Sequence, residues 1–70
     1  MEITMEDNVV AVVALDKGTG FIQTVTSCLV EDSQSYAKYY RNIGYNARVV
    51  EYEELDRMME RERRYRKLYS

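Results

Sequence analysis

The apolar positions of the chain alternate between strand-like and helix-like spacing, beginning with a hairpin pattern. Residues 9–15 are apolar at every position and rich in β-branched side chains, which indicates a strand covered on both faces or flanked by neighbours at both edges. After a polar turn with Gly18 and Gly20, strand-favouring residues resume from Phe21 to Val30. Strand, glycine turn and strand predict a β-hairpin. We place its first strand at the centre of the sheet.

The next segment has the signals of a short amphipathic helix. Asp32 or Ser33 is suited to accept hydrogen bonds from the free amides of a first turn, and acidic charge suits that end of the helix dipole. Gly44 stands where a left-handed C-terminal residue belongs. The predicted buried stripe consists of Tyr36, Ala37, Tyr40 and Ile43.

A third strand and a second helix complete the pattern. Residues 45–52 alternate for most of their length, with Ala47 and Val49 on one face and Arg48 on the other. From Glu53 onward there is no glycine or proline, and strong helix formers predominate. Acid-then-base pairs four residues apart support this helix: Glu53/Arg57, Glu60/Arg64 and Glu62/Arg66.

The predicted order is therefore ββαβα. Because the doubly apolar first strand favours a neighbour on each side, we expect an α+β two-layer domain. Its three-stranded antiparallel sheet has the order 2-1-3, with both helices over one face. We expect residues 1–70 to form one domain. The apolar stripe of the last helix is interrupted at Glu62, so residues 60–70 are expected to project or fray.

Composition excludes several classes of protein. The chain of 70 residues is 46% hydrophobic and has a formal net charge of only -2, which is typical of a globular domain rather than a disordered one. It has no histidine and a single cysteine, Cys28, so neither a disulfide framework nor a zinc site of thiolates and imidazoles is expected. No apolar run approaches the length of a membrane span. The acidic start and the lone thiol favour the cytoplasm.

The charge is distributed unevenly along the chain. Residues 1–35 contain six acidic side chains and one basic one, whereas residues 36–70 contain nine basic and six acidic ones. The halves therefore carry net charges of -5 and +3. Such polarity is able to orient two copies or to steer a partner, although a chance distribution explains it equally well.

The turn after the first strand contains a recognisable motif. The segment Leu15-Asp16-Lys17-Gly18-Thr19-Gly20 resembles the first phosphate-binding hairpin of the superfamily of sugar kinases and actin. That resemblance implies nucleotide binding by the backbone amides of the turn. The superfamily also has two large domains, a second phosphate loop and an adenosine site, and we expect none of them in these 70 residues. An ordinary glycine-rich turn is therefore favoured.

Two groups of side chains are candidates for binding a partner. Among seven tyrosines, Tyr39 lies off the predicted helix stripe, and Tyr39 and Tyr45 are candidate interface residues. The last helix interleaves basic and aromatic residues, a pattern compatible with an acidic protein surface or with phosphates and bases. A pI near 5 argues against a dedicated nucleic-acid binder. The candidates on this helix are Arg61, Arg64, Tyr65, Leu68 and Tyr69.

The sequence favours an interaction module over an enzyme. General acid–base catalysis would depend on a carboxylate or tyrosine with a strongly shifted pKa, for which so small a domain offers little interior. We expect no cofactor, and Cys28 has no imidazole to activate it. A core of this size yields only about 3 to 5 kcal/mol, and two sheet edges remain open. The prediction is a homodimer that binds another protein, with a nucleic-acid-binding accessory protein as the alternative.

Overall fold

The computed structural model describes residues 8–69, and side chains through residue 68. Strand β1 is Val9–Leu15, β2 is Ile22–Leu29, helix α1 is Val30–Asn42, β3 is Asn46–Val50 and helix α2 is Tyr52–Tyr69. The sheet is antiparallel throughout, in the order β2-β1-β3. The α+β class, the element order and the central position of β1 are therefore confirmed.

The two helices lie on opposite faces of the sheet, which differs from the prediction of both on one face. Val12 on β1 packs with Ala37 of α1, whereas Val13, its neighbour, belongs to the cluster that contains Leu55 of α2. Successive side chains of a strand point to opposite faces, so each helix covers one set of β1 residues. The fold has three layers because both faces of β1 are apolar and each face requires a cover.

The register assigns the remaining strand residues to these faces. Opposed residues of an antiparallel pair point to the same side. The α1 face therefore includes Thr24, Thr26 and Cys28 of β2 together with Ala47 and Val49 of β3. The α2 face includes Val25, Ser27 and Leu29 of β2 together with Arg48 and Val50 of β3.

Helix α1 presents only part of its predicted stripe to the sheet, because Ala37 is buried and Tyr40 packs against the same cluster as predicted, but the other two members are not. Its buried residues are Ser33 and Ala37, whereas Tyr36 and Ile43 are exposed. The helix begins at Val30 with no side-chain cap, and the Ser33 hydroxyl donates to the Val30 carbonyl at 2.7 Å instead of capping. Small side chains at 33 and 37 let the helix approach the sheet closely. The predicted C-terminal role of Gly44 is confirmed by its φ of 110°.

Helix α2 remains packed beyond the point where the sequence predicts an extension. The Glu62 carboxylate accepts a hydrogen bond of 2.8 Å from the backbone N–H of Ile22. The Tyr65 and Phe21 rings pack edge to face at a centroid distance of 5.6 Å, and the Arg66 guanidinium lies 4.6 Å from the Phe21 centroid. The helix thus contacts the hairpin as far along the chain as Arg66, whereas the sequence predicts that residues 60–70 project from the domain. Leu68 is 80% exposed.

Candidate interaction surface

Over residues 8–69, the range that the structure describes, the outer side of β2 is an open strand edge. Within the described residues β2 pairs only with β1, so the backbone groups on its other side lack a strand partner. Its sequence, IQTVTSCL, contains no charged residue and no proline. Charges and prolines are the usual devices that keep such edges from pairing with another chain. A bulge at Gln23, between the pairs Ala14–Thr24 and Leu15–Ile22, leaves residues 24–29 as the regular part of this edge.

One flank of α1 lies on the same side of the molecule as this edge. The hydroxyl of Tyr40 hydrogen-bonds that of Thr26 on β2, whereas Arg41 Nη2 donates to the Ala47 carbonyl of β3 at 3.2 Å. These two contacts fix which flank of the helix faces each edge strand. At 100° per residue, the exposed Tyr36, Tyr39 and Ile43 fall on the flank toward β2.

Exposed apolar side chains therefore gather on the β2 side. Tyr39 is 59% exposed and its ring meets that of Tyr40 edge to face at 5.4 Å. A shallow groove of about 340 Å³ is lined by Ser35, Tyr36, Tyr39 and Tyr40.

The α2 face of the sheet contributes a further aromatic residue. The Tyr52 hydroxyl donates to Ser27 Oγ at 2.8 Å, and Tyr52 is half exposed. We call this region the β2-side surface; its apolar members are Val25, Leu29, Tyr36, Tyr39, Ile43 and Tyr52.

The residues that the sequence suggests for partner binding are divided between two regions. Tyr39 belongs to the β2-side surface, whereas the Tyr45 side chain is half-buried and its N–H donates to the Tyr40 carbonyl at 3.0 Å. Arg61, Arg64, Tyr65 and Leu68 are exposed along α2, and Tyr69 ends that helix with a side chain outside the described part. Five of the seven candidates thus lie on α2, away from the Tyr39 flank of α1.

The basic residues of α2 are extensively paired within the helix. Glu60 Oε1 lies 2.9 Å from Arg63 and Glu60 Oε2 lies 3.5 Å from Arg64, while Glu62 Oε2 lies 2.8 Å from Arg66. These pairs include two of the three that the four-residue spacing predicts. Internal pairing reduces the positive field that would attract phosphates.

The glycine turn satisfies its own amides. One carboxylate oxygen of Asp16 accepts hydrogen bonds from the N–H groups of Gly18 and Thr19, at 3.0 and 2.8 Å, and from the Thr19 hydroxyl at 3.1 Å. The bonds from Thr19 and Gly18 lower the pKa of Asp16. An anionic side chain therefore occupies the donors that a nucleotide phosphate would need, and Gly20 adopts the positive φ of the turn.

The sequence could have revealed more of the surface than it did. Tyr36 and Ile43 carry a helical spacing that fits either a core stripe or an exposed flank, and we expected the core. The eight consecutive uncharged residues of β2, in a chain that is 31% charged, were the available signal for an unprotected edge.

Comparison with protein-family models, with curated proteins and with solved structures found no match. In the described range 8–69, no helix has the length and apolar character needed to cross a bilayer. Across that same range, no group of three or more His, Cys, Asp or Glu side chains is arranged to hold a metal ion.

Proposed function

We propose that this protein is a non-enzymatic interaction module of the cytoplasm that binds another protein through its β2-side surface. The observation that carries the proposal is the coincidence of an uncharged free strand edge with exposed tyrosines on the same side of the fold. Strand edges supply backbone hydrogen bonds, and tyrosines supply large apolar faces with a polar tip. Binding therefore requires no catalytic group.

The exposed flank of α1 is the part of the β2-side surface most accessible to mutation. Tyr39 and Ile43 are more than half exposed and belong to neither buried cluster, so replacing them leaves the core intact. Aromatic side chains at the centre of an interface commonly cost more than about 2 kcal/mol of binding energy when truncated. Loss of these two side chains is expected to weaken binding by at least ~10-fold.

The test compares matched variants in quantitative affinity capture followed by titration of the purified partner. Tyr39→Ala/Ile43→Ala is expected to lose the partner, whereas Gln34→Ala/Lys38→Ala, two exposed changes elsewhere on α1, is expected to retain it. Circular dichroism verifies that both variants fold. Equal binding by wild type and both variants contradicts the proposal.

Nucleic acid is the competing class of ligand. Titration of duplex and single-stranded DNA at two salt concentrations distinguishes it, since phosphate binding weakens steeply as salt rises. Salt-dependent binding that Arg61→Ala reduces and Tyr39→Ala leaves unchanged would place function on α2 and contradict the proposal.

A further inference from the structure

We propose that β2 pairs antiparallel with β2 of a second copy, about a two-fold axis at Ser27, so that two three-stranded sheets form one six-stranded sheet. This inference rests on the proposed function and takes a second copy of the chain as the protein that the β2-side surface binds. The juxtaposition that supports it is an uncharged strand edge flanked by exposed apolar side chains on both faces of the sheet.

The charge pattern of the two sheet edges selects β2 for pairing with itself. In a two-fold pairing the residue on the axis faces its own counterpart, and residues beside the axis lie close to theirs. A charge near the middle of a short edge strand is therefore brought near the same charge of the second copy. β2 has no charge over its eight residues, whereas the shorter β3 carries Arg48 among its five. Pairing of β2 with its own copy therefore brings no like charges together, whereas pairing of β3 with its own copy would bring two Arg48 side chains close to each other.

Symmetry limits the possible registers. Antiparallel pairing of identical strands requires an axis perpendicular to the sheet, and this axis keeps each side chain on its own face. Opposed residues must then belong to the same face, so the axis passes through a residue and not between two. The bulge at Gln23 and the start of α1 at Val30 confine regular pairing to residues 24–29.

The axis at Ser27 makes the best use of this segment. It places Ser27 opposite Ser27 of the second copy, and on the same face it places Val25 opposite Leu29 twice. Val25 and Leu29 are 37% and 43% exposed in the single chain, so the pairing buries both against apolar neighbours. On the other face Thr26 opposes Cys28, and both are already half-buried.

The flanking elements fit the same arrangement. The axis keeps α1 of both copies on one face, so the flanks with Tyr36, Tyr39 and Ile43 face each other across the paired β2 strands. Tyr52, which is hydrogen-bonded to Ser27, lies beside the axis on the opposite face.

The charges at the two ends of β2 also suit antiparallel pairing. The pairing directs the hairpin end of one strand, with Lys17, toward the α1 end of the other, with Glu31 and Asp32. These charges are of opposite sign.

A charge-exchange experiment tests the partner and the register together. Val25→Lys and Leu29→Glu each set a charge against an apolar residue, and each is expected to raise the dimer dissociation constant by at least ~10-fold in sedimentation equilibrium. Mixing the two variants sets the introduced lysine of one chain against the introduced glutamate of the other, so a heterodimer is expected to re-form. Asn46→Lys adds a positive charge to the exposed outer strand β3 and is expected to leave dimerisation unchanged.

A cross-link gives a second measurement that does not depend on destabilising the dimer. In a Cys28→Ser background, Ser27→Cys is expected to form a disulfide-linked dimer on mild oxidation, because opposed strand residues lie at the Cα separation that a disulfide requires. Arg48→Cys in the same background is the control and is expected to stay monomeric on denaturing gels.

The outcomes separate this inference from the proposed function. A wild-type chain that sediments as a monomer at every concentration overturns the inference, as does a dimer insensitive to Val25→Lys and Leu29→Glu. In either case the loss of a partner protein by Tyr39→Ala/Ile43→Ala would leave the proposed function standing.

Discussion

The carboxylate of Glu62 holds the backbone N–H of Ile22, forty residues earlier in the chain, at 2.8 Å. The second oxygen of the same carboxylate lies 2.8 Å from Arg66 on the next turn of α2. Glu62 is only 17% exposed, so its charge is satisfied by a strand amide on one side and by a guanidinium on the other. This one side chain ties the distal half of α2 to the start of β2.

Truncation of Glu62 is expected to destabilise the fold. Glu62→Ala leaves the partly buried Ile22 amide without its acceptor, and we expect a loss of about 1–3 kcal/mol in the free energy of unfolding, measured in urea. Glu62→Gln retains an acceptor oxygen and is expected to lose less. Faster hydrogen exchange of the Ile22 amide in Glu62→Ala would identify the cause, and unchanged exchange would contradict it.

The pKa of Asp16 is lowered in the folded state by its bonds to Thr19 and Gly18. A group whose pKa is depressed on folding contributes stability above its unfolded pKa, and the contribution is lost as the pH falls through the folded value. We therefore expect Asp16→Ala to lower the melting temperature near neutral pH, with a difference from wild type that shrinks on acidification. Lys17→Ala is the control, an exposed change in the same turn that leaves the Gly18 and Thr19 donors to Asp16 in place. A difference independent of pH would refute the assignment.

The sequence predicts the sheet because every residue of β1 is apolar and most are β-branched. Seven consecutive apolar residues fit a strand with neighbours at both edges, and equally a strand covered on both faces. The structure shows that both interpretations apply to β1. The first interpretation alone predicts the correct strand order but leaves one face of the sheet without a helix.

The sequence predicted the helices less completely, because apolar character alone does not choose the buried flank. In α1 the sheet contacts Ser33 and Ala37, whose small size permits close approach, while the more apolar Tyr36 and Ile43 stay outside. In α2 the apolar pattern is interrupted at Glu62. The Glu62 carboxylate nevertheless accepts a hydrogen bond from a backbone amide, a contact that sequence spacing does not reveal. Most of the α1 part of the candidate surface is hidden from the sequence for the same reason, because the spacing of Tyr36 and Ile43 predicts a core position for both.

The thiol of Cys28 is expected to react slowly. Burial raises the pKa of Cys28, and the negative charge of Asp32 raises it further. The fraction of thiolate near neutral pH is therefore small, and modification by a disulfide reagent should accelerate only above the ordinary thiol range. Asp32→Asn is expected to lower the apparent pKa while leaving the larger effect of burial. Rapid modification of the wild type at neutral pH would show that this account of the thiol is incorrect.

Close contact between α1 and the sheet depends on the small side chain of Ala37, which is fully buried beside Val12 and Ala47. Ala37→Leu adds three carbons to a packed layer, so we expect a loss of about 1–3 kcal/mol in the free energy of unfolding. Gln34→Leu makes a substitution to the same residue at an exposed site of the same helix and is expected to change stability by less than about 0.5 kcal/mol. Urea denaturation of the two variants measures the difference. Equal stabilities would mean that the helix stands farther from the sheet than the burial of Ser33 and Ala37 indicates.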